Sequence, residues 1–198
     1  MRRSRSETAE TRERIVSIAS NKFLKEGLAA VGMRDVMSAA GLTQGGFYRH
    51  FESKEQLIAE ANGKAFDRLF AMFESKVVGK SPAEALEKIV SLYLGQPQSK
   101  ENTYLCPLSM LGAELSHCDP QVRAVATAGY QRLVQLIAEH LMHLTRAKRV
   151  ALASGVVSTM AGAVMLANIT EDKAAARSIL DNARALVRAR LSQGGRVS

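Results

Sequence analysis

The chain has 198 residues, a formal net charge of +8 and 46% hydrophobic residues, which suits one large domain or a small one joined to a medium one. That charge favours a polyanionic partner. With only 2 cysteines, no Cys-x-x-Cys and no His/Cys cluster at ligand spacing, neither a disulfide scaffold nor a structural zinc is supported, and no cofactor is expected.

The opening Met1-Arg2-Arg3-Ser4-Arg5-Ser6 has no apolar stretch behind it and reads as neither signal peptide nor anchor. No apolar run approaches the roughly 20 residues that span a bilayer, so a cytoplasmic protein without a membrane partner is expected. Residues 1–50 hold nine Lys or Arg against five acids, which puts about half of the surplus charge in the first quarter of the chain. A first helix is expected over 7–27. Met33, Val36, Met37 and Ala40 then recur at the three-and-four interval of an apolar helix stripe, predicting a helix over 33–40. Gly41 ends it, because the residue past a helix end often needs positive φ. Leu42 offers an apolar plug, and Thr43 is a preferred N-cap for a short helix over 44–50. That helix sets Gln44, Tyr48, Arg49 and His50 against few core residues, Phe47 and Phe51. Gly45 and Gly46 each cost roughly 1 kcal/mol relative to alanine in a helix, which points to something that approaches the backbone closely. A DNA duplex fits, because a recognition helix enters the major groove by its N-terminal residues. Ser53-Lys54-Glu55-Gln56 reads as a capping box that opens a helix over 53–78.

The run AAGLTQGGFYRHFESKEQL resembles, almost position for position, the helix-turn-helix signature of the tetracycline-repressor (TetR/AcrR) family of bacterial regulators. The resemblance covers roughly residues 10–60 at motif level. It implies an all-α, nine-helix fold with a DNA-binding head over 1–52 and an effector-binding and dimerisation domain over 53–198. Arg34, Thr43, Gln44, Gly45 and Tyr48 are then expected at and near base edges, with Gly46 allowing close approach. His50, Lys54 and the N-terminal arginines would hold phosphates and set register. One departure stands out: family members usually place Thr or Ser where this chain has Val31-Gly32, so the cap of the first motif helix falls to Gly32.

Further helices are expected over 82–94, 104–118, 120–144, 148–169 and 172–192, with no alternating strand run. Ser81-Pro82-Ala83-Glu84 joins a capping box to proline at the first helical position, and Asp119-Pro120 repeats the signal. The helix over 148–169 is rich in small residues that permit close backbone approach, and the last helix opens with the cap Thr170. In the family such a pair forms a four-helix dimer interface with a second copy, which would present two reading helices to grooves about 34–36 Å apart. Packing within a monomer is the alternative.

Phe66, Phe70, Phe73, Tyr93, Tyr104, Leu108, Met110, Leu111, Met142 and His143 can line an adaptable apolar cavity for a small-molecule effector; the same residues also suit a plain helical core. Pro107 favours a first helical position, which makes Cys106 a cap whose thiol faces a helix N-terminus, where thiolate is stabilised. Its placement resembles the sensing cysteine of an electrophile- and oxidant-responsive branch of the family, and a buried inert cysteine is the other reading. The sequence thus reads as a homodimeric repressor of a palindromic operator, released by a small apolar or electrophilic effector. One rival is a small helical metal-binding enzyme, for which His140 and His143 share a helix face without a third ligand. The other is a non-specific binder of nucleic acid or anionic membrane.

Overall fold

A computed structural model describes residues 5–95 and 105–194, and every regular element in them is helical. In chain order these are α1 (Arg5–Glu26), α2 (Met33–Ala39), a 3₁₀ helix (Gln44–Arg49), α3 (Lys54–Val77), α4 (Pro82–Tyr93), α5 (Pro107–Leu115), α6 (Pro120–Glu139), α7 (Arg146–Ile169) and α8 (Lys173–Gly194). Tyr104, Arg2, Arg3 and Arg196 lie outside the described residues.

Most boundaries follow from caps legible in the sequence. Ser53 Oγ accepts the Gln56 N–H at 3.1 Å, and Gln56 Oε1 reaches past it to the Glu52 N–H at 2.7 Å. Ser81 and Glu84 form a reciprocal box in which Ser81 Oγ accepts the Glu84 N–H and Glu84 Oε2 accepts the Ser81 N–H at 2.9 Å; the Ser81 hydroxyl, donating to the same carboxylate oxygen at 2.6 Å, and then that N–H lower the Glu84 pKa. Asp119 Oδ1 accepts the Val122 N–H at 3.0 Å, and Asp35 Oδ2 supports the Gly32 cap by accepting its N–H at 3.0 Å.

Three expectations are corrected. The helix expected over 120–144 stops at Glu139, and after a turn Thr145 caps the next helix by accepting the Lys148 N–H. The cap of α8 is Asp172, whose carboxylate accepts the Ala174 N–H at 2.9 Å. Thr170 instead turns its hydroxyl back onto the Leu166 carbonyl. The recognition element is 3₁₀ and not α, with the Gly46 N–H bonded to Thr43 O at 3.0 Å and the His50 N–H to Phe47 O at 2.9 Å. Two adjacent glycines give α-geometry little propensity, and a piece this short loses little by tightening.

Two apolar clusters form the core. The first gathers Ile15, Ala19 and Phe23 of α1, Val36 and Met37 of α2, Phe47, Phe51, the first half of α3 from Leu57 to Ala65, and Leu111, Leu115, Val122 and Ala126 of α5 and α6. The second joins Phe66, Leu69, Phe70 and Phe73 of α3 to α4, α6, α7 and α8. Helix α3 therefore passes from one cluster into the other. Phe66 lies on α6 at Gly129, where a Cβ would stand 2.2 Å from the ring. Helix α7 is, by length and composition, able to cross a membrane; here Ala153, Val157 and Met160 are buried against its neighbours.

Candidate nucleic-acid interface

Phe47 and Phe51 anchor the 3₁₀ helix, both almost fully buried, with ring centroids 5.4 Å apart. Their burial fixes which way the rest of the helix points. Thr43, Gln44, Gly45, Tyr48 and Arg49 are all exposed, and Tyr48 is 78% exposed although it is a large aromatic. Thr43 has the extended backbone of an N-cap, yet its hydroxyl makes no cap hydrogen bond. It is exposed beside Gln44. A Cβ built on Gly45 would have nothing within 4 Å, and one on Gly46 would meet only ordinary contacts, the Met37 side chain at 3.6 Å being the nearest. The protein's own packing therefore does not demand these glycines. Gly41, by contrast, has φ +71° and turns the chain between α2 and the 3₁₀ helix.

Arg34 is exposed on the first turn of α2, on the same head. His50 is half-buried, its ring 6.4 Å from that of Phe51. Lys54 is half-buried and donates from Nζ to the Leu28 carbonyl at 3.3 Å, so part of its hydrogen-bonding capacity serves the head itself.

The basic surplus at the front is also partly internal. Arg12 forms an ion pair with Glu60, donates from Nε to the His50 carbonyl at 3.2 Å and lies 4.7 Å over the Phe51 ring. Lys22 pairs with Glu26. Arg12 is thus a clamp on the end of the reading helix. Sequence reasoning counted it only as charge, because its partners Glu60 and Phe51 are 48 and 39 positions away. Arg49, left out of the expected contacts, is exposed next to Tyr48.

The residues expected around an effector do not converge on one place. Phe66, Phe70, Phe73 and Tyr93 are buried together in the second cluster. Leu111 belongs to the first cluster, and Leu108 packs against both. Met142 and His143 sit exposed in the turn between α6 and α7. His143 lines a groove of about 710 Å³ between the start of α4, the end of α6 and α8, with His140, Leu86, Leu141 and Arg188. Arg188 is bridged there to Glu87. Met142 and His143 lie beyond the end of α6 at Glu139, while Leu141 beside them stays in the second cluster.

Cys106 caps α5 as expected, but it is 6% exposed and burial pushes its thiol pKa up, outweighing the hydrogen bonds from Tyr93 and the α5 amides that would lower it. Burial first, and then the neighbouring Cys106, raises the Tyr93 phenol well above its ordinary value, while Tyr93 and Ser109 share a hydrogen bond of 2.9 Å. Among the described residues no group of three or more His, Cys, Asp or Glu could hold a metal ion.

A short, exposed polar helix raised on two buried phenylalanines, behind a second helix and in front of a helical body, defines a helix-turn-helix transcriptional regulator. Residues 15–61 match the model for bacterial regulatory proteins of the TetR family, and residues 82–193 match that for the C-terminal domain of LmrA/YxaF-like transcriptional regulators. The chain belongs to the TetR family. It is 26% identical over 185 residues to the uncharacterized regulator YxaF of Bacillus subtilis, covering 90% of this chain and 96% of that one. It is 29% identical over 99 residues to the repressor KstR2 of Mycolicibacterium smegmatis, covering 50% of this chain and 47% of that protein, so that match spans about half of each. A TetR regulator structure from Chloroflexus aurantiacus superposes with a TM-score of 0.79 at 27% identity, covering 95% of this chain and 97% of that one.

Proposed function

We propose that the protein is a homodimeric, ligand-responsive repressor that holds a palindromic operator in the cytoplasm through two copies of the Gln44–Arg49 helix. The carrying observation is one uncovered face of α7. Ala151, Gly155, Ser158, Met165, Leu166 and Ile169 are exposed at three-and-four spacing, with Ile169 at 73%, and a Cβ on Gly155 or Gly162 would have nothing within 4 Å. Small residues along an apolar stripe leave room for another helix at close range. Leu186 of α8 is exposed and lines a pocket with Gly155 and Thr159 of the same face. A second copy packed there by two-fold symmetry would join four helices and present two reading helices to one duplex.

On this reading Thr43, Gln44, Gly45 and Tyr48 meet base edges with Arg34 beside them, and Arg49, His50 and Lys54 meet phosphates. A small apolar or electrophilic effector acts on the body near Phe66, Phe70, Phe73, Tyr93 and Leu108, where side chains must part to admit it. Effector and operator then weaken each other by the same factor. Catalysis has no part in this scheme. Selection from a random pool of duplexes is the test: recovery of one inverted repeat, bound at least about a thousandfold more tightly than random DNA at physiological salt, is the expected result. Uniform binding to all fragments would make the protein a non-specific binder instead.

A further inference from the structure

The turn between α1 and α2 is held from two sides. Lys54 of α3 donates to the Leu28 carbonyl at 3.3 Å, and Glu114 of α5 accepts the Ala29 N–H on Oε2 at 2.8 Å. The other Glu114 oxygen stands 3.0 Å from where a side chain on Gly27 would begin, and Gly27 has φ +89°. The carboxylate thus fits into a gap that glycine leaves.

Helix α5 is rooted in the body at its other end. Cys106 belongs to the second apolar cluster, Ser109 hydrogen-bonds Tyr93, and Asn168 of α7 donates to Met110 Sδ at 3.0 Å. Toward its C-terminus Leu111 and Leu115 enter the first cluster. Apolar contacts are non-directional and tolerate small slides, whereas a hydrogen bond to a backbone amide fixes a distance and an angle. The gripped turn leads directly into α2, and Met37 of α2 packs with Phe47 of the 3₁₀ helix in that cluster.

We infer that Glu114 is a positioning residue for DNA reading: its grip on the Ala29 amide sets the tilt of the head on the body, and with it the half-site spacing that two joined heads accept. The inference rests on the paired-head reading above. A head that can rock accepts neighbouring spacings, because each added base pair moves a half-site by about 3.4 Å and turns it around the duplex axis.

The experiment is a selection by the full-length protein and its variants from a pool in which half-site spacing varies one base pair at a time. The wild type should prefer one spacing by about tenfold over its neighbours and Glu114→Ala by about threefold or less, with the same bases chosen inside each half-site. Glu114→Gln, whose amide oxygen can still accept the Ala29 N–H, should keep the wild-type preference. An alanine variant that retains the tenfold preference, with or without a lower thermal midpoint, reduces Glu114 to a stability contact and overturns the inference. So does a glutamine variant that behaves like alanine. A wild type that selects no inverted repeat at all defeats the two-headed reading, and the inference with it.

Discussion

Gly45 and Gly46 put opposite demands on the molecule and on its proposed partner. Inside the protein a methyl on Gly45 meets open space, and alanine is the better helix former by roughly 1 kcal/mol, so Gly45→Ala should leave thermal stability unchanged or slightly raised. If a duplex lies against that backbone, the same methyl should weaken operator binding about tenfold, or about 1.4 kcal/mol, a combination that melting curves and gel-shift titration would resolve. Gln44→Ala should alter which base is preferred at one position, by about 1–3 kcal/mol of discrimination. The two cysteines differ in a way that spacing alone does not reveal. Cys106 is buried, with its thiol pKa raised chiefly by burial. Cys118 is half-buried, raised by desolvation and then by the carboxylates of Asp119, Glu114 and Glu55. Because the thiolate is the reactive form, a neutral alkylating agent should label Cys118 slowly near neutral pH, faster as pH rises, and should spare Cys106 until the protein unfolds. Peptide mass mapping showing Cys106 labelled first in the folded protein would support the sensor reading over the inert one.

Among the elements, α6 shows how closely the body is fitted. Gly129 lies within this long helix, and its missing side chain is where the Phe66 ring rests. In Gly129→Ala the overpacking penalty, about 1–3 kcal/mol, outweighs the roughly 1 kcal/mol of helix propensity that alanine returns. The 2.2 Å approach places the penalty at the upper end of that range, so a net loss of about 2 kcal/mol is expected by chemical denaturation; a variant as stable as wild type would mean that Phe66 can swing aside, the very motion an effector entering there would need. Helix starts were legible wherever a cap and an early proline or glutamate coincide, as at Ser81 and Asp119. The last two helices begin within two residues of the expected positions, but their caps are Thr145 and Asp172; between Thr170 and Asp172, geometry picks the residue whose oxygen faces a free amide. The 3₁₀ form of the reading helix was likewise hidden, because two glycines weaken α-helix without specifying what replaces it.

At the scale of the molecule, the head and the body share their core: Leu111, Leu115 and Val122 of the expected second domain are buried with Phe23, Met37 and Phe47 of the first. The uncovered face of α7 gives the molecular prediction. Gly162→Asp places a charge where the monomer has no neighbouring atom within 4 Å, so helical circular dichroism should persist while sedimentation shifts from dimer to monomer and operator binding falls. An unshifted dimer would remove α7 from the interface. Local chemistry is written residue by residue, so the chain alone determined the all-helical class, the helix-turn-helix with its exposed Gln44 and Tyr48, and most helix starts, each resting on neighbours three or four positions apart. Long-range placement decided the rest: Arg12 on Phe51, Glu114 on Ala29, Phe66 on Gly129, the burial of Cys106 and the scatter of the expected effector residues. Those contacts join positions from 39 to 85 residues apart, and their geometry exists only once α1, α3, α5 and α6 have packed.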